Sequence, residues 1–575
     1  MNKAVFYYLT LFILLISCKS SQKNIGVSAG VNPFHYSITK KVIAENGAVV
    51  SAHPLASKVG LEILKQGGNA IDAVIATQLA LAVVYPNAGN IGGGGFMVAR
   101  LNSGETIALD YREMAPAKAN RDMYLEAGGN ANTDKSQLGH LSSGVPGTVA
   151  GLFASHKYAR LPFEKLIQPA IELAEKGYAI SVTEAKALNA IKDDLVQYNS
   201  ITPVFIKPAD WKKGDTLIQK ELANTLKRIK EKGQPGFYEG ETARLIVEEM
   251  IRGNGIISYD DLKNYKAKFR TPHSFDYKNY LIIGMPMPSS GGLLLNQMMK
   301  MIENRNIAAM GFHSTEAVQL MTEVQRRAFA DRAEYMGDAD FYKVPVSMLT
   351  NDIYLQERMK SYNPDKATPS STIKPGMLLR AESEETTHLS VIDKEGNAVA
   401  VTTTLNNSYG SRTVVGGAGF FMNDEMDDFS IKPGVPNLYG AVGGEANAIM
   451  PGKRMLSSMT PTIVLQDNKP YIVLGTPGGT TIPTQVFQTL VNILEFNMST
   501  EDAVYKPKFH HQWLPDEIMY EKGFPPTVKA SLEKMGYTFG KERTGIGRTE
   551  IIKVLPGGKF EAVADIRGDD SAEGW

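Results

Sequence analysis

The pattern of apolar and polar residues is mainly helical in the first part of the chain. It predicts a helix from about Ala56 to Lys65, which ends at the Gly67-Gly68 pair, a usual signal for a helix C-terminus. A second helix, from about Asn69 to Val84, is apolar almost all round and is therefore expected to be buried. Residues 150–360 are also mostly helical in pattern, most clearly in the segment TEAVQLMTEVQRRAFADRAEYM.

Short apolar runs separated by turn residues predict antiparallel hairpins. These join FMVARL to ETIALDY, TTHLSVID to AVAVTTTL, TIVLQD to YIVLG, and IIKVL to FEAVAD, and the last hairpin is expected to close the chain. An apolar helix, from about Ile482 to Phe496, follows the third hairpin. Helices and strands in both halves indicate a layered α/β fold, in which stacked antiparallel sheets are covered by helices.

The first residues of the chain have the composition of an export signal. Lys3 precedes an apolar run, Ala4 to Ile16, that is too short to span a bilayer comfortably. The run ends in LISC, which resembles the lipobox of bacterial lipoproteins, and its Cys18 is the single cysteine of the chain. We therefore expect a signal peptide over residues 1–17, lipid on Cys18 and a polar tether over residues 18–40. The predicted location is the bacterial periplasm or cell envelope; a plain secretory signal is the alternative.

Charge and composition exclude several classes of function. The 61 basic and 61 acidic side chains balance, which gives no electrostatic reason to expect a nucleic-acid partner. The glycine run from Gly92 to Gly95 lacks the Lys-Ser/Thr ending of a phosphate loop and is expected to serve close backbone packing. His510 and His511 point apart if they lie on a strand, so they are expected to be structural, as is His388. No metal or other cofactor is expected, and beyond the lipid on Cys18 no segment predicts a membrane anchor.

The TTHLSVID hairpin places two hydroxyls side by side. If Asp393 pairs with Asn397 across the KEG turn, Thr386 lies opposite Thr404, with the two side chains on one face at about 5 Å. Two ordinary strand threonines are the alternative reading of this pair.

Several further motifs make the chain similar to the γ-glutamyltranspeptidase (glutathione hydrolase) family. They are NIGGGGFM, DYREMAPAKA, PSSGG, ETTHLSVIDKEGNAVAVTTTLN, NDEMDDFS, KRMLSSMTPTIV, GTPGG and FHHQWLPDE, in this order. The resemblance implies the four-layer αββα sandwich of N-terminal nucleophile hydrolases. It also implies a precursor that cuts itself between Glu385 and Thr386 into a large subunit, residues 41–385, and a small catalytic subunit, residues 386–575.

The resemblance also implies a role for each matching residue. Thr386 would be the nucleophile and its new α-amine the base, Thr404 its hydrogen-bond partner, and Gly478 with Gly479 the oxyanion hole. Groups expected to hold the α-carboxylate of a glutamyl group are Arg112, Ser457 and Ser458, and those expected to hold its α-amine are Asn406, Glu425 and Asp428. For Arg112, the alternative is an exposed arginine at the end of a strand, in a salt bridge with Asp110 or Glu113. Bacterial relatives often have glutamine where this chain has Glu425. Tyr439 would lie on a lid loop and be the aromatic residue that shields the site.

The implied reaction transfers a γ-glutamyl group. Glutathione and other γ-glutamyl compounds are the expected substrates, and water, an amino acid or a dipeptide the expected acceptor. Two alternatives stay open: another acylase of the same fold, such as a cephalosporin acylase or a poly-γ-glutamate-processing enzyme, and a lipoprotein that binds γ-glutamyl compounds without turnover.

Overall fold

The structure is a computed structural model that describes residues 30–373, 386–432 and 443–575. The predictions for Cys18, Glu385 and Tyr439 lie outside these residues. Within them, no helix combines the length and the apolar character needed to cross a membrane.

Helices are the predominant regular structure in the first part of the chain, as its pattern predicts. They are α1 (Pro54–Lys65), α2 (Ala70–Val84), α3 (Thr133–Gln137), α4 (Thr148–His156), α5 (Phe163–Lys176), α6 (Val182–Ala190), α7 (Lys192–Tyr198), α8 (Lys220–Lys232), α9 (Pro235–Tyr238), α10 (Gly240–Arg252), α11 (Tyr259–Asn264), α12 (Gly291–Ile302), α13 (Ile307–Met310), α14 (Thr315–Tyr335), α15 (Val346–Leu349), α16 (Asp352–Arg358), α17 (Ile482–Leu494), α18 (Thr500–Tyr505) and α19 (Pro526–Lys534).

The strands are distributed over both parts of the chain. They are β1 (Lys41–Ala44), β2 (Gly47–Ser51), β3 (Gly94–Arg100), β4 (Thr106–Asp110), β5 (Tyr178–Ala179), β6 (Thr216–Leu217), β7 (Lys268–Arg270), β8 (His273–Tyr277), β9 (Tyr280–Gly284), β10 (Thr387–Asp393), β11 (Ala398–Thr404), β12 (Thr462–Gln466), β13 (Lys469–Gly475), β14 (Phe509–His510), β15 (Ile518–Glu521), β16 (Phe539–Arg543), β17 (Glu550–Val554), β18 (Phe560–Val563) and β19 (Ser571–Gly574).

Two antiparallel sheets of seven strands form the centre of the molecule. Their strand orders are β1-β18-β17-β13-β12-β9-β8 and β19-β2-β10-β11-β3-β4-β7. Each of these two sheets contains strands from before residue 374 and strands from after residue 385. The two parts of the chain are therefore interleaved, and neither part contains all the strands of either seven-stranded sheet.

Three apolar cores show that the arrangement is the predicted αββα sandwich. Small and branched residues such as Val50, Ala400 and Val473 fill the space between the two sheets. A second core lies between one sheet and α1, α2 and α5, and a third between the other sheet and α12, α14 and α17. Because successive residues of a strand point to opposite faces, β10 contributes Leu389 and Val391 to the helix-facing core and Ile392 to the space between the sheets.

The predicted helix boundaries are close to the observed ones, and the reason is local. Asn69 caps α2 by accepting from the backbone N–H groups of Ile71 and Asp72, while the Asp72 carboxylate accepts from the N–H of Asn69. Such a reciprocal cap fixes the start of a helix from its own sequence.

One expectation about the end of the chain is wrong. The β17–β18 hairpin is followed by β19, which pairs with β2 so that Ser571 lies opposite Ser51. The sequence SAEG has no apolar alternation, so its strand conformation depends on tertiary contacts, including the Ser57 hydroxyl that donates to the Ser571 carbonyl at 2.7 Å.

Candidate active site

The register predicted for the β10–β11 hairpin is observed. The N–H of Asp393 donates to the carbonyl of Asn397 at 3.1 Å, and Thr387 lies opposite Thr403. One step further along the same register, Thr386 lies opposite Thr404, and both residues are 3% exposed. The Thr404 hydroxyl accepts from the backbone N–H of Asn406 at 2.8 Å, so it also fixes the turn that leaves β11.

A single small cavity brings together most of the residues that the sequence singled out. This space, the Thr386 cavity, is lined by Arg112, Arg332, Thr386, Thr404, Asn406, Glu425, Asp428, Ser457, Ser458, Met459, Gly479, Thr480 and Ile482. Gly478 is the exception, because it lines a neighbouring polar cavity together with Arg548 and Arg567.

Arg112 lies just after the end of β4 and is 1% exposed. Its two terminal nitrogens lie 2.5 Å from a carboxylate oxygen of Glu425 and 2.5 Å from one of Asp428, and Glu113 is 3.4 Å away. The simpler alternative, an exposed strand-end arginine paired with Asp110 or Glu113, does not describe it. Arg112 joins the first part of the chain to the second inside the cavity.

Three carboxyl groups therefore share one guanidinium in a dry environment. Burial raises the pKa of Glu113 to about 8, although Arg112 opposes the shift. Burial also raises the pKa of Glu425 well above its usual range, again against the effect of Arg112. The pKa of Arg112 is raised because the carboxylates outweigh the effect of burial. Since burial penalises uncompensated charge, Glu113 and Glu425 hold a proton more readily than exposed carboxyl groups do.

The acidic side of the cavity is fixed by backbone contacts that need glycine. The Asn423 side chain donates to the carbonyls of Gly92 and Gly144 at 2.8 Å and accepts from the N–H of Glu425 at 3.1 Å. A Cβ at Gly92 would lie 2.2 Å from the Phe421 carbonyl, and one at Gly93 would lie 2.1 Å from the Thr404 carbonyl. The glycine run thus serves close backbone packing, as predicted.

The GTPGG segment forms the expected strand-to-helix turn. Gly478 and Gly479 have φ angles of +131° and +51°, which L side chains adopt at a cost. A 3-10 turn over Gly479–Thr481 leads directly into α17. The N-terminal end of a helix presents backbone N–H groups, so this turn suits a developing negative charge.

Two residues of the site were not predicted as functional. Arg332 stands on α14 in the segment QRRAFADRAEY, where nothing in the spacing distinguishes it from Arg326 and Arg327. Glu113 follows Arg112 directly and was expected only as an alternative ion-pair partner. Adjacency to Arg112 in the DYREM motif was the one available signal for it.

His388, His510 and His511 lie within the core, in agreement with the structural role expected for them. His388 contacts the hydroxyls of Thr402 and Ser390 at 2.9 and 3.1 Å, and burial lowers its pKa to about 3. His510 contacts Thr484 and Gln512 at 2.8 and 2.9 Å. Over the described ranges, histidine, cysteine and acidic side chains form no group of three or more that could hold a metal ion.

Comparisons with known proteins agree with this geometry. The model of the gamma-glutamyltranspeptidase family matches residues 56–575. A glutathione hydrolase proenzyme from Escherichia coli is 46% identical over 558 residues, which cover 94% of this chain and 95% of that protein.

Two solved structures resemble the molecule. The crystal structure of cephalosporin acylase from Bacillus halodurans matches with a TM-score of 0.81 and 26% identity over 94% of this chain and 98% of that chain. The Helicobacter pylori gamma-glutamyltranspeptidase matches with a TM-score of 0.56 and 46% identity over 60% of this chain and 97% of that chain. The fold, the cavity and these matches together establish that the chain belongs to the gamma-glutamyltranspeptidase family.

Proposed function

We propose that the chain is a γ-glutamyl hydrolase and transferase that matures by cutting itself between Glu385 and Thr386. One observation carries the proposal: a single cavity joins a strand-end threonine to a buried arginine, two serines and two acidic side chains. A nucleophile and the complementary groups for an amino-acid end thus face the same small space.

In maturation, the Thr386 hydroxyl would attack the carbonyl carbon of Glu385. The C–N bond breaks, its nitrogen takes a proton, and an ester replaces the amide; water then hydrolyses the ester. The products are a carboxylate at Glu385 and a free α-amine on Thr386, whose reference pKa of about 7.7–8.0 suits proton transfer near neutral pH. One residue then supplies both nucleophile and base.

Substrate binding exchanges partners inside the cavity. In the structure, Arg112 contacts Glu425 and Asp428. A free amino-acid end carries both a carboxylate and an ammonium, so the carboxylate pairs with Arg112 and the two serines while the ammonium pairs with Glu425, Asp428 and Asn406. Each buried charge keeps an opposite partner, which limits the desolvation cost. Glu425 accepts from the ammonium where relatives often have glutamine.

Acyl transfer then follows at the other end of the cavity. The Thr386 hydroxyl attacks the γ-carbonyl, its proton passes to the α-amine, and backbone N–H groups of the Gly478–Gly479 turn stabilise the oxyanion. The C–N bond breaks, and the leaving amine takes the proton. Water, an amino acid or a dipeptide attacks the resulting ester and frees Thr386. The residues use no metal or other cofactor in this scheme.

Turnover of glutathione by purified mature protein, with and without a dipeptide acceptor, tests the proposal. Loss of cysteinylglycine from glutathione is the expected result, and its absence from protein that has matured into two chains would rule the proposal out. A glutaryl amide, which lacks the α-amine, is the matched substrate. Preference for the glutaryl amide would favour the acylase alternative, which the cephalosporin acylase match supports.

We also propose that the protein is exported and anchored by lipid on Cys18 after removal of residues 1–17. The lipobox-like LISC and the single cysteine support this proposal. The Cys18→Ser variant should then be released from the membrane fraction, because it lacks the sulfur that carries the lipid. We further propose that Tyr439 belongs to a lid loop and that its aromatic side chain shields the cavity.

A further inference from the structure

A second buried arginine lies beside the two serines of the Thr386 cavity. Arg332, near the end of α14, is 6% exposed and lines the cavity. Its Nη2 donates to the Ser458 hydroxyl oxygen at 3.1 Å, and its Nε donates to the Ser290 hydroxyl oxygen at 3.1 Å. The guanidinium therefore bridges two serines from distant parts of the sequence.

Ser290 belongs to the PSSGG segment, and contacts of this segment with the backbone of Ser457 hold Ser457 and Ser458 in place. The N–H and the hydroxyl of Ser290 both donate to the Ser457 carbonyl, at 2.8 and 2.7 Å. In return, the N–H of Ser457 donates to the Pro288 carbonyl at 2.9 Å. Arg332 completes this unit, because it holds Ser290 and Ser458 in one geometry.

The contacts of Ser457 and Ser458 also determine where their two hydroxyl groups can donate. A guanidinium has no acceptor, so the Ser458 hydroxyl that accepts from Arg332 must direct its own proton elsewhere. The Ser457 hydroxyl likewise accepts from the N–H of Met459 at 3.1 Å. Among the described residues, neither hydroxyl proton meets an acceptor. Two donors with unused protons line the cavity, and that arrangement is suited to an anion.

We propose that Arg332 is a positioning residue for recognition of the substrate α-carboxylate, because it holds Ser458 as a hydrogen-bond donor toward the cavity. This inference rests on the proposed γ-glutamyl activity and extends it. Arg112 supplies the pairing charge, and Arg332 sets the orientation of the neutral donor beside it. Arg332 thereby contributes to the preference for substrates whose α-carboxylate is free.

The test compares Arg332→Gln with the wild type on a γ-glutamyl anilide and on its α-carboxamide analogue. Loss of a hydrogen bond from a charged donor that orients Ser458 should raise KM for the anilide by about 10- to 100-fold. The KM for the carboxamide should change little, and kcat for both substrates should stay near the wild-type value. Self-cleavage needs no free α-carboxylate, so maturation into two chains should proceed.

A double-mutant cycle with Ser458→Ala separates positioning from general structural support. Once the hydroxyl is absent, Arg332→Gln should add no more than about twofold to KM, because the two residues act as one unit. Effects that multiply fully would show that Arg332 acts independently of Ser458 and would overturn the inference.

Arg327→Gln is the matched control. Arg327 is a fully buried arginine on the same helix that contacts Glu323 and Ser361 away from the cavity. Its loss should lower thermal stability without a selective rise in the anilide KM. Equal changes in both variants would reduce Arg332 to a structural residue.

Two further variants keep the test decisive if Arg332→Gln fails to mature. In Arg332→Lys, a single ammonium replaces the guanidinium that contacts both Ser290 and Ser458. This variant should therefore recover only part of the affinity for the anilide. Ser290→Ala removes one of the two serine contacts of Arg332. It should raise KM for the anilide but not for the carboxamide, and an unchanged KM for the anilide would contradict the inference. Wild-type protein that matures but turns over neither substrate would instead refute the proposed function.

Discussion

At the residue scale, the chemistry of the cavity depends on how few charges are exposed to water. Arg112, Glu113 and Glu425 are each at most 1% exposed, so their ionisation depends on one another rather than on solvent. Removing one member of such a buried group of charges costs free energy, because the remaining charges stay buried without compensation. Variants at these positions are therefore expected to have effects that conservative replacements only partly reverse.

Arg112→Ala should lower kcat/KM for a γ-glutamyl anilide by roughly 30-fold to several thousand-fold. Loss of one partner of a desolvated charge pair costs about 2–5 kcal/mol, at about 1.4 kcal/mol per tenfold. Arg112→Lys should recover only part of this loss, since a point charge replaces a bidentate fork. Steady-state kinetics on variants that have matured into two chains provide the measurement. An α-carboxamide substrate is the control, and wild-type efficiency of Arg112→Ala on the anilide would exclude this anchor.

The raised pKa values predict how stability depends on pH. Because the pKa is about 8 for Glu113 and well above its usual range for Glu425, the folded state binds protons that the unfolded chain has released. Stability should therefore fall as pH rises from about 4.3, the unfolded pKa, toward 8. Thermal melting between pH 5 and 8 should show a shallower fall for Glu113→Gln and Glu425→Gln than for the wild type.

Glu445→Gln is the comparison for this pH series, because the Glu445 side chain is 61% exposed and lies outside the cavity. It should reproduce the wild-type slope. Wild-type slopes in both cavity variants would mean that these carboxyl groups hold no proton in the folded state.

At the scale of elements, a hairpin and a turn position the proposed catalytic groups. The β10–β11 register puts Thr386 opposite Thr404, and the Thr404 hydroxyl also accepts from Asn406, whose φ of +76° is unusual for a residue with a side chain. Asn406 is one of the groups proposed to hold the ammonium. The end of one strand therefore couples the proposed nucleophile to the proposed substrate-binding groups.

Thr404→Ala should slow both self-cleavage and turnover while the fold stays intact. One neutral hydrogen bond is worth about 0.5–1.5 kcal/mol, or up to about tenfold in rate, and the loss grows where the Asn406 turn also loosens. Thr404→Ser keeps the hydroxyl and should stay close to wild type. Band intensities on a denaturing gel over time and steady-state kcat measure the two steps, and wild-type rates for both would refute the role given to Thr404.

At the scale of the whole molecule, the two parts of the chain cannot fold as separate bodies. Both seven-stranded sheets contain strands from before residue 374 and from after residue 385, and the apolar core between the sheets includes residues of both parts. A cut before Thr386 therefore opens the chain without separating its products.

Thr386→Ala should leave one uncut chain, because no hydroxyl remains to attack the preceding carbonyl. Thr386→Ser keeps a hydroxyl and should still be cut. On a denaturing gel the wild type should give two bands and the alanine variant one, whereas size exclusion under native conditions should give the same elution volume for both. Cleavage of the alanine variant at this bond would point to an external protease.

The sequence by itself determined the longer elements and the position of Thr386, the proposed nucleophile, at the start of a hairpin. The reciprocal cap at Asn69, the two-residue alternation of the strands and the short KEG turn act between near neighbours, so the helix bounds and the hairpin register could be predicted from local rules. Thr386 could be placed opposite Thr404 because the register of one hairpin needs no information from the rest of the chain.

Only the tertiary structure decided which distant residues share the cavity. The pairing of Arg112 with Glu425 and Asp428 joins positions more than three hundred residues apart, and the bridge from Arg332 to Ser290 and Ser458 joins three separate segments. Strand β19 was likewise missed because SAEG carries no apolar pattern and its pairing with β2 depends on contacts with distant residues. Local patterns fix the geometry of near neighbours, whereas burial of a charge and the choice of its partner depend on how the two sheets and their helices pack.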